Sequence, residues 1–134
     1  MLVIPNMQIT EHFRYNEPSI RCQCCNRLII NDLFYRHMSK LETLRQELGF
    51  ALLFNSGYRC PPHNKAVGGS ENSMHTKFAS DIRPEIIQGE DIALFEIKLR
   101  SIEEKAEELH FGGIGVYDEF IHLDCRDKKA RWKG

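Results

Sequence analysis

Residues 120–125 read "FIHLDC", and apolar and polar side chains alternate through them. Successive side chains of a β-strand point to opposite faces, so Ile121 and Leu123 face a core while His122 and Asp124 face the other way. This implies a sheet with one buried face and one polar face. A histidine on that polar face is available to a metal, and its neighbour two positions on can orient it. A second short segment, "NSMHTKFASDIRP" at 72–84, repeats the theme with His75 and Asp81. Imidazole nitrogens and carboxylate oxygens in separate segments point to a divalent metal, because they are donors that zinc accepts.

The rest of the chain supplies the partners of such a sheet. From Asn31 the positions Phe34, Met38, Leu41, Leu44 or Arg45, and Leu48 recur at intervals of three and four, predicting a helix with Asn31 as N-cap and Gly49 as its stop. "FALLF" at 50–54 predicts a buried strand ending in the turn residues Asn55, Ser56 and Gly57. Residues 60–74, "CPPHNKAVGGSENSM", are rich in Pro, Gly, Asn and Ser and predict a loop. "ASDI" predicts a strand. A second helix is expected over about 90–109, with Ile92, Phe95, Leu99, Ile102, Ala106 and Leu109 on one stripe and a solvated charged face opposite. "GIGVY" at 113–117 and "FIHLDC" are the last strands, joined by a turn around Asp118. One α+β domain over residues 1–134 is expected, with helices flanking a small sheet.

Composition narrows the function. A chain of 134 residues, 42% hydrophobic and 28% charged, can bury one core without disulfides. A net charge of −1 gives no basic field for nucleic acid. No run approaches the roughly 18–20 apolar residues needed to span a bilayer, and "MLVIPNMQITEHFRYNE" lacks the parts of a signal peptide. Synthesis in the cytoplasm and action as a monomer are expected. Five cysteines, an odd number, argue against a disulfide framework. Three of them, Cys22, Cys24 and Cys25, crowd into "CQCC". They can supply ligands to a structural zinc with Cys60 as a fourth, but the spacing is not that of a usual knuckle, and reduced thiols in a tight turn fit as well. Cys125 reads as a small buried hydrophobe.

Two histidines and one aspartate, His75, Asp81 and His122, would leave a fourth tetrahedral position open, as in catalytic rather than structural zinc. Water activated there becomes a nucleophile near neutral pH. Glu119, three residues before His122, could reach over it as a base if the entering turn twists, and Arg59 could stabilise an oxyanion or bind a substrate carboxylate. Taken singly, each of these residues has an ordinary explanation: a surface ion pair for Arg59, a turn for Glu119, routine hydrogen bonds for His37 and His110, a loop position for His63.

"SGYRCPPHNKAVGGSENSMHTKFASDI" with "GGIGVYDEFIHLDCR" after it resembles the zinc D-Ala-D-Ala carboxypeptidases and the related phage endolysin peptidases of the lysostaphin, D-Ala-D-Ala peptidase and hedgehog group. The likeness extends to "LETLRQELGFALLFNSGYR" and to "EHFRYNEPSIRCQCC", most of the chain. It implies a small antiparallel sheet with flanking helices and an open cleft, and zinc held by His75, Asp81 and His122. It implies Glu119 as general base, Arg59 on the scissile carbonyl or the substrate, and Ser73 and Tyr58 as substrate contacts. The implied substrate is a peptidoglycan stem peptide cut beside a D-amino acid, by D,D- or L,D-carboxypeptidase or endolysin-type endopeptidase action. A lack of signal peptide fits release to the cell wall during phage lysis. "HTKFASD" is one residue shorter than the family's usual interval and lacks its glycine. A one-residue change within a strand would turn Ser80 to the metal in place of Asp81; Asp81 is nevertheless expected there, because Ile82 then stays in register with the core. A binding module that keeps the fold and has lost catalysis is the alternative.

Overall fold

A computed structural model describes residues 7–134. The apolar start weighed as a signal peptide falls largely on residues 1–6, outside the described residues. Helix α1 (Asp32–Leu48) begins where the Asn31 side chain accepts from the Phe34 N–H and ends where Gly49, at φ 76°, turns its own N–H back to the Arg45 carbonyl. Both caps match the sequence, since Asn satisfies an orphan donor and Gly adopts the left-handed region at no steric cost. Between this helix and the next long one lies the short α2 (Pro61–Ala66), in a stretch expected to be loop; Pro61 at its first position has a preset φ and no N–H to satisfy. Helix α3 (Ile92–Glu108) is capped by Asp91.

Five strands, β1 (Leu52–Ser56), β2 (Ala79–Pro84), β3 (Gly113–Val116), β4 (Ile121–Asp124) and β5 (Ala130–Lys133), form one sheet in the order β1-β2-β4-β3-β5. Neighbours are antiparallel except β3 and β5, which run parallel. β1 begins two residues later than "FALLF" suggested, and β5 was not expected at all. Its sequence "ARWK" is short and half charged, devices that blunt an edge strand.

One sheet face packs under α1 and α3, with Ile82, Ile114, Ile121 and Leu123 joining Phe34, Met38, Leu41, Leu44, Leu99 and Ile102 in the core. Ile92, expected on the buried stripe of α3, is 75% exposed because the first turn of the helix, exposed from Ile92 to Leu94, precedes its contact with the core. Irregular chain before α1 closes one end of the core through Phe13, Tyr15 and Ile20. Glu42 of α1 holds that segment, accepting from Thr10 Oγ1 and the His12 N–H at 2.7 Å each and lying 2.6 Å from His12 Nδ1. No helix among the described residues is long and apolar enough to cross a membrane.

The other sheet face is set by register. Asp81 of β2 pairs with His122 of β4, His122 with Gly115 of β3, and Gly115 with Trp132 of β5. These four residues make one cross-strand row. Where that row reaches β1, at Ser56, the pairing shifts by one residue between Phe54 and Ser56. Such a bulge bends the strand and re-aims the chain beyond it, here the segment 57–60.

Candidate metal centre

His75 lies in a single 3-10 turn, Met74–Thr76, whose N-cap Ser73 accepts from the His75 N–H. Its ring is buried, and Nδ1 stands 2.7 Å from the Gly57 carbonyl. A carbonyl only accepts, so Nδ1 carries the proton and Nε2 presents its lone pair. That lone pair faces the Asp81 carboxylate at 3.2 Å. His122 is fixed in the mirrored sense: Nε2 lies 2.8 Å from Asp124 Oδ2, and Nδ1 lies 3.0 Å from Asp81 Oδ1.

Asp124 is fully buried and ionised. Burial alone would raise its pKa, but hydrogen bonds from His122 and from the Arg126 side chain and backbone outweigh that and hold it well below the usual carboxylate range. Arg126 gives it Nε at 2.9 Å, Nη2 at 2.7 Å and the backbone N–H at 3.0 Å. An ionised carboxylate against Nε2 keeps the His122 proton there and leaves Nδ1 as the free donor atom.

Two lone pairs and a carboxylate therefore converge, an arrangement that is repulsive unless a cation sits among them. The titration tendencies express the same demand. Asp81 is pulled down to about 2 despite burial, by the two histidines, and His122 is pushed up despite burial, by Asp124 and Asp81. Separations of 3.0–3.2 Å between donor atoms are close to the roughly 3.3 Å set by tetrahedral bonds of about 2.0–2.1 Å to zinc. The donor set fits a divalent metal ion.

The group opens into a groove of about 510 Å³ lined also by Arg59, Ser73, Tyr117, Phe120 and Trp132. Trp132 packs on the His122 ring, centroids 5.0 Å apart, and the Arg126 guanidinium stands 5.2 Å from the centre of the indole. The indole N–H donates to Tyr117 Oη at 2.9 Å. Arg59 Nη2 donates to Ser73 Oγ at 3.3 Å, and its Nε is buried without a hydrogen-bond partner.

A family model described as Peptidase M15 matches residues 11–124. The chain belongs to the Peptidase M15 family. A search of curated proteins gave no match. M15 peptidases are metal-dependent, and the convergent group His75, Asp81 and His122 is where this M15 chain can hold the ion.

The structure brings together His75, Asp81 and His122, with Arg59 and Ser73 beside them. Between His75 and the strand the chain passes through the 3-10 turn and Lys77, and β2 then runs with Asp81 opposite His122. Ser80 faces the helices instead, 2.8 Å from His37 Nε2. Tyr58 is not a groove residue: it is 5% exposed and belongs to the core cluster. Nor does Glu119 reach the group. It is exposed in the β3–β4 turn and lines a separate groove with the start of α3. Its neighbour Phe120 does line the metal groove. Sequence reasoning missed Trp132 and Arg126. The chain's one tryptophan, alternating with Arg131 and Lys133, was the available signal.

Proposed function

We propose that this M15 chain is a zinc peptidase that hydrolyses bonds beside D-amino acids in peptidoglycan stem peptides. The observation that carries the reading is the tautomer-fixed convergence of His75, Asp81 and His122 at the floor of an open groove. Zinc held there supplies Lewis acidity toward a carbonyl and lowers the pKa of water. The side chains around it do the binding. Arg59, half-buried and with an unpaired Nε, offers charge-assisted donors to a peptide carboxylate or a carbonyl oxygen. Ser73 Oγ already accepts from Arg59 and from the His75 N–H, so its own hydroxyl proton is free to donate to a peptide carbonyl. Tyr117 Oη accepts from Trp132 and keeps its proton for the same use. Trp132 and Phe120 supply apolar wall against small side chains such as the methyl of alanine.

The test is digestion of purified peptidoglycan by the full chain, with and without a chelator, beside His75→Ala, Asp81→Ala and His122→Ala. Expected is cleavage that stops on metal removal, returns with zinc and is absent in all three variants. Released D-alanine marks carboxypeptidase action, and larger soluble fragments mark endopeptidase action. A second reading, a metal-holding module that binds wall peptides without cutting them, is favoured by one observation: Asp81 is the sole carboxylate among the described residues lining the groove. Wild type that binds zinc and sediments with peptidoglycan but releases nothing from it, or from any D-amino-acid peptide, establishes that second reading and overturns the first.

A further inference from the structure

None of the five cysteines lines the groove, yet the fold gathers four of them. Cys22, Cys24 and Cys25 come from a tight turn, closed by the Cys22 N–H to the Arg27 carbonyl and the Asn26 N–H to the Cys22 carbonyl, each 2.8 Å. Asn26 sits at φ 60°, a left-handed position that Asn tolerates better than most residues. Cys60 comes from the segment after the β1 bulge. All four sulfurs lie within 4.8 Å of one another, with Cys22 to Cys24 at 3.6 Å and Cys24 to Cys60 at 3.4 Å. These separations are far beyond the roughly 2.05 Å of a disulfide. They approach the roughly 3.8 Å edge of a tetrahedron built on Zn–S bonds of about 2.3 Å. The Cys60 backbone N–H also donates to Cys22 Sγ at 3.4 Å, a contact suited to an anionic sulfur.

We propose that Cys22, Cys24, Cys25 and Cys60 bind a zinc ion of their own, in a closed tetrathiolate site separate from the His75 group. Four thiolates leave no open position, so the site is structural. Its place in the fold says what it secures. Among the described residues, the segment before α1 has no helix or extended strand and meets the groove-forming chain at 57–60. There the Tyr58 N–H donates to the Ile20 carbonyl, and a side chain at Gly57 would lie 2.4 Å from that same oxygen. Gly57 in turn accepts from His75, and Arg59 directly precedes Cys60. An ion joining Cys60 to the 22–25 turn therefore pins the segment that orients His75 and carries Arg59.

The full chain, expressed with zinc and purified without chelator, is assayed for metal per chain in wild type, in His75→Ala/His122→Ala and in Cys24→Ser/Cys60→Ser. Two equivalents are expected in wild type and one in each double variant. Cobalt loaded into the histidine double variant should give the strong near-ultraviolet charge-transfer bands of thiolate ligation. A measurement on unaltered protein guards against misfolded variants: Cys24 and Cys25 are exposed, so thiol reagent should modify them at once if they are free, and only after chelation if they hold zinc. Immediate modification overturns the proposal. So does a histidine double variant with no metal, a mass showing disulfides, or iron in the cysteine site. None of these results bears on hydrolysis at the histidine group, so the two readings fail separately.

Discussion

Each histidine of the metal group has one nitrogen committed before an ion arrives: His75 Nδ1 to the Gly57 carbonyl, His122 Nε2 to Asp124. The Asp124 bond is the more vulnerable, because an amide in its place no longer carries the charge that keeps the proton on Nε2 and that Arg126 pairs with. Asp124→Asn is expected to weaken metal binding by about 10- to 100-fold, the usual cost of losing such a partner, read by competition against a chromophoric chelator. Asp81→Ala should lose the ion at that group outright. Two further substitutions separate groove from surface. Arg59→Lys keeps the charge but loses the planar fork, so hydrolysis should fall at least tenfold. Glu119→Gln, on the helix side of the β3–β4 turn, should leave hydrolysis within about twofold of wild type. A loss in Glu119→Gln equal to that in His122→Ala would show that the turn swings the carboxylate into the groove.

The elements place these side chains through close backbone approach. A Cβ at Gly113 would stand 2.3 Å from Asp124 Oδ2, and one at Gly115 would stand 2.4 Å from Trp132. Glycine is required in β3 so that the neighbouring strands can lay a buried carboxylate and an indole across it. Gly113→Ala should cost roughly 1–3 kcal/mol of stability, seen as a lower denaturation midpoint, and should weaken metal binding by displacing Asp124. Gly115→Ala should cost a similar amount, with Trp132 fluorescence reporting the displaced ring. Such contacts explain what the sequence could and could not disclose. α1 was legible with both caps because a helix is written in local periodicity, and β2, β3 and β4 because alternation is local too. His75, Asp81 and His122 were legible as a set through residue type and motif order. β5 was not, since its four residues alternate over too short a span to stand out, and Trp132 therefore had no strand to place it on. Tyr58 and Glu119 were misplaced for a related reason. Each lies beside a groove residue in sequence, Arg59 and Phe120, and outside any strand, so no local pattern says which of two neighbours turns to the groove.

At the scale of the molecule the sheet separates two electrostatic regimes, a polar face made for a cation and a helix face that excludes charge. His37 belongs to the second. It is buried completely among Phe78, Phe111 and Ser80, and burial lowers its pKa from 6.5 to about 3, outweighing the attraction of Asp124. The folded ring stays neutral where the unfolded chain takes up a proton. Its contribution is therefore fully present above pH 6.5 and is lost as the pH falls from 6.5 toward 3, at about 1.4 kcal/mol per pH unit. Protonation of metal ligands adds a loss of its own in the loaded protein, so the measurement belongs on chelator-treated chain. Urea midpoints taken between pH 7 and pH 4 should decline steadily for wild type. His37→Gln, which keeps a donor toward Ser80 but cannot titrate, should be less stable at pH 7 and decline less steeply. Parallel slopes in the two proteins would mean that other groups govern acid unfolding and that His37 gains access to water before the fold is lost.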